Sequence, residues 1–573
     1  MSQPRRILIV GGVAGGASAA TRARRLNEHA DIVIFEKDDY VSFANCGLPY
    51  HIGGEIKDRS KLLVATPQSL FARYRLDVRV RTEVLSIDRQ NKTISVVNHN
   101  TKVESTERYD QLILAPGASP IVPDAHGIGS NNVLSLRNVA DTDRIKKQVD
   151  AMSSQGAQGP PPQQAVVVGG GFIGLEMAEQ LADRGLAVTL VERNPQVLPL
   201  MDFEMAAMLH EELQAHDVKL VFGDGLVGFE TTPTDTSQSD STETATAAVL
   251  ASGQTLKADL FILGIGVRPN VALAQQAHLD LGATGGITVN EHLQTNDPNI
   301  YAVGDAVEYV YRPTETAMRI ALAGPANRAG RIAGEHAASD AANIPMTAVL
   351  GTSVVRVFGL TAGLTGLSAN TAKRFGVNVA SVTIVANHHV GYYPGAKPIT
   401  LKLTYDPDTQ RVLGAQAIGA AGVDKRLDVI ATLIQLGGTL EQLAGLDLCY
   451  APPFGSAKDP IHMAAFTALN AVHGLAKFLD ADADLSGMQI LDVRTAAEIA
   501  RGMLAGAIHI PVDDLRDQLD KLAPEKPTVV VCASGLRGYV ASRVLMQNGF
   551  TDVADLSGGM MMRRRAKPNE TLV

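Results

Sequence analysis

Twice in this chain an apolar run leads into a cluster of glycines, a helix-forming stretch and a second apolar run that ends on a glutamate. The first copy is Ile7 to Val10, Gly11-Gly12-Val13-Ala14-Gly15-Gly16, a small-residue helix from Ala17 to Leu26, and a strand from Ile32 to Phe35 ending at Glu36. The second is Ala165 to Val168, Gly169-Gly170-Gly171-Phe172-Ile173-Gly174, a helix from Leu175 to about Arg184, and Ala187 to Val191 ending at Glu192. In such a unit the glycines permit a tight turn, the helix N-terminus faces a pyrophosphate, and the acid accepts from ribose hydroxyls. Two units predict a doubly wound α/β protein that holds two dinucleotides. The fingerprint Gly169, Gly171, Gly174 is complete, whereas Val13 stands at the middle glycine of the first. A carboxylate at Glu192 repels a 2′-phosphate and favours NADH, while the adjacent Arg193 leaves NADPH open.

A length of 573 residues, 45% of them hydrophobic, predicts several domains with ample core. The net charge of −9 comes with acidic and basic residues interspersed, which argues against a nucleic-acid partner. Arg563-Arg564-Arg565 is expected to be a solvated tail. No apolar run approaches the ~18 residues of a membrane span, and Pro4-Arg5-Arg6 passes directly into the first strand, so no export signal is expected. Three cysteines, Cys46, Cys449 and Cys532, are too few for a disulfide framework and too scattered for a metal motif. A cytoplasmic protein without metal is expected. The polar stretches at residues 153–164 and 232–246 read as surface loops.

Cys46 lies soon after the first glycine turn, in Ser42-Phe43-Ala44-Asn45-Cys46-Gly47-Leu48-Pro49-Tyr50, and the next cysteine is Cys449. A lone thiol beside a redox cofactor cannot close an internal disulfide. Its oxidised form must be a sulfenic acid, a persulfide or a mixed disulfide.

Further segments assign the cofactors. Thr295-Asn296-Asp297-Pro298-Asn299-Ile300-Tyr301-Ala302-Val303-Gly304-Asp305 resembles the second flavin motif of flavoproteins with two dinucleotide folds, in which the final aspartate binds the ribityl chain. Leu112-Ile113-Leu114-Ala115-Pro116-Gly117-Ala118 resembles their crossover into the NAD domain, and Leu263 to Asn270 the return. The resemblance gives FAD to Gly11, Gly12, Gly15, Gly16, Glu36, Ala115, Gly117 and Asp305, and NADH to Gly169, Gly171, Gly174 and Glu192.

The Ser-Phe-x-Asn-Cys-Gly-x-Pro-Tyr block narrows the likeness. The chain resembles the coenzyme A-disulfide reductase branch of the pyridine nucleotide-disulfide oxidoreductases, in particular its rhodanese-fused, NADH-dependent persulfide reductases. By that resemblance Cys46 exchanges electrons with flavin and substrate sulfur, His51 occupies the place of a resolving cysteine, and Arg22, Arg25, Ser42 and Asn45 contact coenzyme A. Residues 345–478 resemble a dimerisation domain, which implies a homodimer. Its motifs Tyr392-Tyr393-Pro394-Gly395 and Tyr450-Ala451-Pro452-Pro453 imply hydroxyls near the active cysteine, Tyr450 arriving from the partner subunit. Between Tyr392 and Tyr393 the reading leans to Tyr393. Cys449 is read as structural, and His462 as a capping or interface residue with a local proton carrier as the alternative.

Residues 485–565 begin afresh after the acidic linker Asp480-Ala481-Asp482-Ala483-Asp484. Ile490-Leu491-Asp492-Val493-Arg494 with Glu498, Gly506 to Pro511, and Val529 to Arg537 resemble a rhodanese domain, Met503 departing from its pattern. Cys532 is expected in a nest of backbone N–H groups that lowers its pKa, with Arg537 adding positive charge. The domain expectation is FAD-binding at 1–117 and 285–340 and NAD(H)-binding at 118–284, followed by the dimerisation and rhodanese domains. The implied activity is NADH-driven reduction of sulfane sulfur or disulfides of small thiols, namely coenzyme A persulfide, polysulfide or coenzyme A disulfide, through the single redox cysteine Cys46, with rhodanese-mediated transfer in which Cys532 collects sulfane sulfur from a donor and passes it onward. Two alternatives stay open: an NADH oxidase or peroxidase cycling through a sulfenic acid, and a protein that is mainly a rhodanese sulfurtransferase.

Overall fold

The computed structural model describes residues 4–153, 163–233 and 243–573. The polar stretches expected as loops lie partly outside the described residues, at 154–162 and 234–242. The flanks of the second are strand instead: Leu226–Pro233 pairs antiparallel with Glu243–Leu250, with Thr232 opposite Thr244 and Pro233 opposite Glu243. Two compact units form, Met1–Arg193 with Asp217–Gly351, and Asn194–His216 with Thr352–Val573.

The first unit carries two five-stranded parallel sheets. One has the order Ile300–Ala302, Gln111–Leu114, Arg6–Val10, Asp31–Phe35 and Asp77–Arg79. The other runs Lys219–Phe222, Ala187–Glu192, Gln164–Val168, Leu260–Leu263 and Val133–Ser135. The central strands are β-branched and buried on both faces, the pattern of strands sandwiched between helices. The segments read as crossover and return meet: Ala118–Pro120 pairs antiparallel with Val267–Pro269, and the Asn270 side chain donates to the Pro116 carbonyl at 2.9 Å.

The first helix spans Ala14–Leu26, three residues longer at its start than expected. Gly15 and Gly16 therefore lie in its first turn and not in the loop before it. A methyl on Gly16 would be driven into the Gly11 carbonyl, so glycine lets the helix settle directly on the strand end. A helix at Ala323–Ala338, unforeseen in the sequence, lies along the first one. Its Gly330 and Gly334 leave room for the backbone carbonyls of Gly15 and Ala19. The contact surface is made of Ala and Gly, which gives only a faint hydrophobic period to read.

In the second unit an antiparallel sheet has the order Ser353–Val357, Leu360–Gly366, Val412–Gly419, Pro398–Tyr405 and Ala380–Asn387. Helices Val423–Gln435, Pro460–Val472 and Phe203–Ala215 pack on it. Buried Lys402 bonds Asp202 at 2.8 Å and Glu204 at 2.6 Å, while the Gln416 amide donates to Asp202 at 2.8 Å. Burial works against the Lys402 ammonium, but the two carboxylates outweigh it and raise its pKa.

The C-terminal sheet is parallel, in the order Phe478–Leu479, Val553–Leu556, Thr528–Val531, Gln489–Asp492 and Ile508–His509. Its first strand precedes the acidic linker. Ser557 Oγ accepts the N–H of Thr383 at 3.0 Å and so covers the open edge of the antiparallel sheet. The triple arginine is not a solvated tail. It lies in the helix Gly559–Ala566, where Arg563 is only 2% exposed and bonds Glu570 and the carbonyls of Ala481 and Ala483, while Arg565 pairs with Glu211. No helix among the described residues is long and apolar enough to cross a membrane.

The close helix crossing yields a direct test. Gly330→Val should cost about 1–3 kcal/mol of stability through overpacking, whereas Gly324→Ala, with open space at its Cβ, should leave the denaturant midpoint unchanged or slightly raised. Equal midpoints for the two variants would contradict the packing described.

Candidate active site

Both glycine turns are built alike. Glu36 Oε2 accepts the Gly12 N–H at 2.9 Å, and Glu192 Oε2 accepts the Gly170 N–H at 2.7 Å. Each acid thus clamps the end of its strand to the turn. Burial raises the Glu36 carboxyl, against the lowering effect of the Gly12 and Asp38 N–H groups. Neither following helix has a side-chain cap: Val13 and Gly171 occupy the N-cap positions without supplying one. Uncapped N-terminal amides suit an anionic pyrophosphate. A methyl on Gly171 would meet no protein atom within 4 Å, and its φ of −80° is ordinary, so nothing in the protein itself requires glycine there. Room for a ligand explains it. Around Asp305 the fit is similar: burial raises this carboxyl, and its ion pair to Arg137 is long at 3.6 Å, leaving acceptor capacity for a polyol. The residues present fit two dinucleotides.

Cys46 sits in the single helical turn Asn45–Gly47 that leads into helix Leu48–Gly53. It is exposed as a residue, yet partial desolvation of its sulfur, followed by the carboxylates of Glu176 and Asp305, raises the thiol pKa. Tyr50 donates to Glu176 at 3.0 Å. His51 is buried, and its Nδ1 lies 2.6 Å from the Ile56 carbonyl. Arg137, which the sequence did not single out, gathers this site. Its carbonyl accepts from the Asn45 amide at 2.9 Å, its Nη1 donates back at 3.2 Å, and it also reaches Asp305. No motif marks Arg137, because its role depends on where the strand Val133–Ser135 ends. Of the residues expected at coenzyme A, Arg22 is tied to Glu335 while Arg25 is exposed on the same helix. Ser42 takes φ of 49° and donates its N–H to the Gly12 carbonyl at 2.8 Å.

The two tyrosine loops meet in the second unit. The hydroxyls of Tyr392 and Tyr450 are 3.2 Å apart, and this bond raises the Tyr450 pKa. Tyr392 is 76% exposed and pairs with Tyr450, whereas Tyr393 is 41% exposed and turns its ring edge to His389, centroids 5.5 Å apart. Buried Arg426 and Asp459 fix both loops. Arg426 bonds Asp459 at 2.7 Å and the His388 carbonyl at 2.7 Å, and the Val390 N–H reaches the Gly455 carbonyl at 3.0 Å. His462 Nε2 lies 2.8 Å from the Leu446 carbonyl and its ring stacks on Phe466. Cys449 is exposed.

Cys532 directly follows the strand Thr528–Val531 and is 1% exposed. The Gly535 N–H points at Sγ at 3.0 Å, and the N–H groups of Met560 and Met561 hold the carbonyls of Cys532 and Ala533 at 2.8 and 3.0 Å. The nest is present, but the expected outcome is reversed. Burial first, then Asp555, raises the Cys532 thiol, and the N–H groups of Gly535, Gly538 and Ser534 offset this only in part. Asp555 is itself fully buried and its carboxyl is raised well above the ordinary value. Arg537 is not a free charge either: it donates to both Glu498 oxygens at 2.7 Å, and this holds the Glu498 carboxyl down to about 2.

The family model for pyridine nucleotide-disulphide oxidoreductases matches residues 5–330, its dimerisation domain matches 352–460, and a rhodanese-like domain matches 475–562. The chain belongs to the pyridine nucleotide-disulphide oxidoreductases. It is 35% identical over 463 residues to a coenzyme A disulfide reductase of Staphylococcus aureus, covering 81% of this chain and 99% of that one. Reduced CoADR-RHD of Bacillus anthracis is similar at 44% identity and TM-score 0.93, over 100% of this chain and 99% of that one. A NAD-dependent persulfide reductase from A. fulgidus is similar at 35% identity and TM-score 0.88, over 97% and 99%. Membership in this oxidoreductase family implies FAD and NAD(P)H. When bound, FAD would lie along the turn at Gly11 to Gly16 with Glu36 and Asp305, and the nicotinamide dinucleotide along Gly169 to Gly174 with Glu192.

In a chain carrying Cys46→Ser and Cys449→Ser, alkylation of Cys532 should accelerate with an inflection above the ordinary thiol value, because burial disfavours the thiolate until high pH. An inflection below neutrality would restore the nest as the dominant effect.

Proposed function

We propose that this enzyme uses NADH to reduce sulfane sulfur and disulfides carried by low-molecular-weight thiols, with coenzyme A persulfide and polysulfide favoured over coenzyme A disulfide by the rhodanese domain. The observation that carries this reading is the lone Cys46: the other two cysteines are Cys449 and Cys532, both in the second compact unit. A substrate that brings its own sulfur removes the need for a second thiol.

The Cys46 thiolate attacks the outer sulfur of the persulfide, the S–S bond breaks, the coenzyme A thiolate leaves, and Cys46 persulfide forms. Two electrons and no added atom then cleave that persulfide to the Cys46 thiolate and hydrosulfide. For a disulfide substrate the same attack gives a mixed disulfide. Bound FAD supplies the two-electron link to NADH. The departing thiolate or hydrosulfide needs a proton donor, and we assign that donation to the Tyr392 and Tyr450 phenols, a role that calls for a second copy of the chain. The hydrogen bond raises Tyr450 and so favours its protonated form. Arg25, Ser42 and Asn45 are assigned to coenzyme A, with Arg25 carrying the phosphate interaction because Arg22 is held by Glu335. Glu192 at the second turn supports NADH over NADPH.

Cys46→Ser should reduce NADH-dependent sulfide release to background, and Tyr450→Phe should lower kcat by about a hundredfold. Sulfide release that survives Cys46→Ser would remove the thiol from the centre of the reaction.

A further inference from the structure

The cysteine loop of the C-terminal domain has had its cation cancelled. Arg537 lies five residues after Cys532, in the first turn of the helix Leu536–Met546 that the cysteine loop opens, and it is spent on a bidentate pair with Glu498, both bonds 2.7 Å long. The pair is built in. Glu498 also accepts the N–H and hydroxyl of Thr495, at 2.8 and 3.0 Å, closing the capping box of the turn Ala496–Ile499. Nearby Arg494 is likewise committed, to Asp492 at 2.6 Å, with both side chains buried. The outward side chains of the loop, Ala533, Ser534 and Leu536, carry no charge, and Leu536 is 66% exposed.

We propose that Glu498 is a specificity-determining residue: by neutralising Arg537 it bars compact dianionic sulfur donors such as thiosulfate from Cys532 and reserves the loop for persulfides on uncharged, partly apolar arms. The inference rests on the reading of Cys532 as a sulfur acceptor. With a persulfide, the Cys532 thiolate attacks the outer sulfur, the S–S electron pair departs with the thiolate of the arm, and Cys532 persulfide forms. One negative charge enters and one leaves, and the backbone N–H groups directed at the sulfur suffice for it. With thiosulfate the attacking thiolate meets two further negative charges, and sulfite leaves as a dianion. Each N–H supplies a fraction of a charge, and the Arg537 and Glu498 charges sum to zero, so the repulsion stands uncompensated. The exposed Leu536 offers such an arm an apolar rest that a hydrated dianion cannot use.

The test uses the full chain with Cys46→Ser, so that sulfur acquisition by Cys532 is read without NADH turnover, and follows transfer from thiosulfate or pantetheine persulfide to cyanide. The Cys46→Ser, Cys532→Ala double variant provides the blank. Thiosulfate kcat/KM should lie at least about tenfold below that for pantetheine persulfide. Adding Glu498→Gln, which frees the Arg537 charge, or Leu536→Lys, which adds one at an exposed position without touching the pair, should raise thiosulfate kcat/KM by about fivefold or more; Glu498→Gln should leave the persulfide value within about twofold, and Leu536→Lys, which also removes the apolar rest, should lower it. Leu536→Lys keeps the test decisive should Glu498→Gln fail to fold. Thiosulfate matching persulfide in the Cys46→Ser chain, or a folded variant that leaves their ratio unchanged, would overturn the assignment. NADH-dependent reduction at Cys46 is read separately and can stand or fall without it.

Discussion

Backbone contact that only glycine permits holds the dinucleotide-binding half together. In each turn the third glycine of the fingerprint, Gly16 or Gly174, lies against the carbonyl of the first, Gly11 or Gly169, so closely that a methyl would strike it. The helix therefore begins at the strand end, its uncapped amides converge on the turn, and the acid of the second strand can reach back to Gly12 or Gly170. Further glycines, Gly330 and Gly334, bring another helix against the first. The position of Asp305 relative to the turn follows from the strand Ile300–Ala302 next to Gln111–Leu114 in the same sheet.

Those parts of the fold that rest on strong local signals were legible in the sequence. Both βαβ units, the crossover near Gly117 and the cysteine loop at Cys532 combine a buried β-branched strand with a glycine turn at fixed spacing. Helix Ala323–Ala338 escaped because Ala and Gly form its contact face. Strands Leu360–Gly366 and Val412–Gly419 escaped because both of their faces are small and buried, which hides the alternation expected of an antiparallel strand. Between Tyr392 and Tyr393 the sequence offers only a leaning, since neighbours on a turn differ only by the direction in which the loop, held by Arg426 and Asp459, presents them.

The largest departures concern charge. Arg22, expected at coenzyme A, Arg537, expected to add positive charge at Cys532, and Arg563, expected in a solvated tail, are each matched to a carboxylate in the structure, at Glu335, Glu498 and Glu570. Likewise the cysteine nest was judged by its N–H groups and by Arg537, when the burial that creates the nest also removes water from the sulfur, and Asp555 adds to that penalty. A motif names the groups that favour an ion; the surrounding fold decides what opposes them. At Cys46 and Cys532 alike the thiol starts protonated, so reactivity depends on the approach of a substrate and a proton acceptor.

The central claim is that the sulfur reduced at Cys46 arrives on a carrier. Steady-state NADH oxidation compared across coenzyme A persulfide, polysulfide, coenzyme A disulfide, hydrogen peroxide and oxygen tests it most directly. The account predicts fastest turnover with the persulfide, one hydrosulfide released per NADH oxidised, and little oxygen or peroxide consumed. Stoichiometric consumption of oxygen or peroxide, faster than any sulfur substrate and unaffected by Cys532→Ala, would contradict it and establish a sulfenic acid cycle instead.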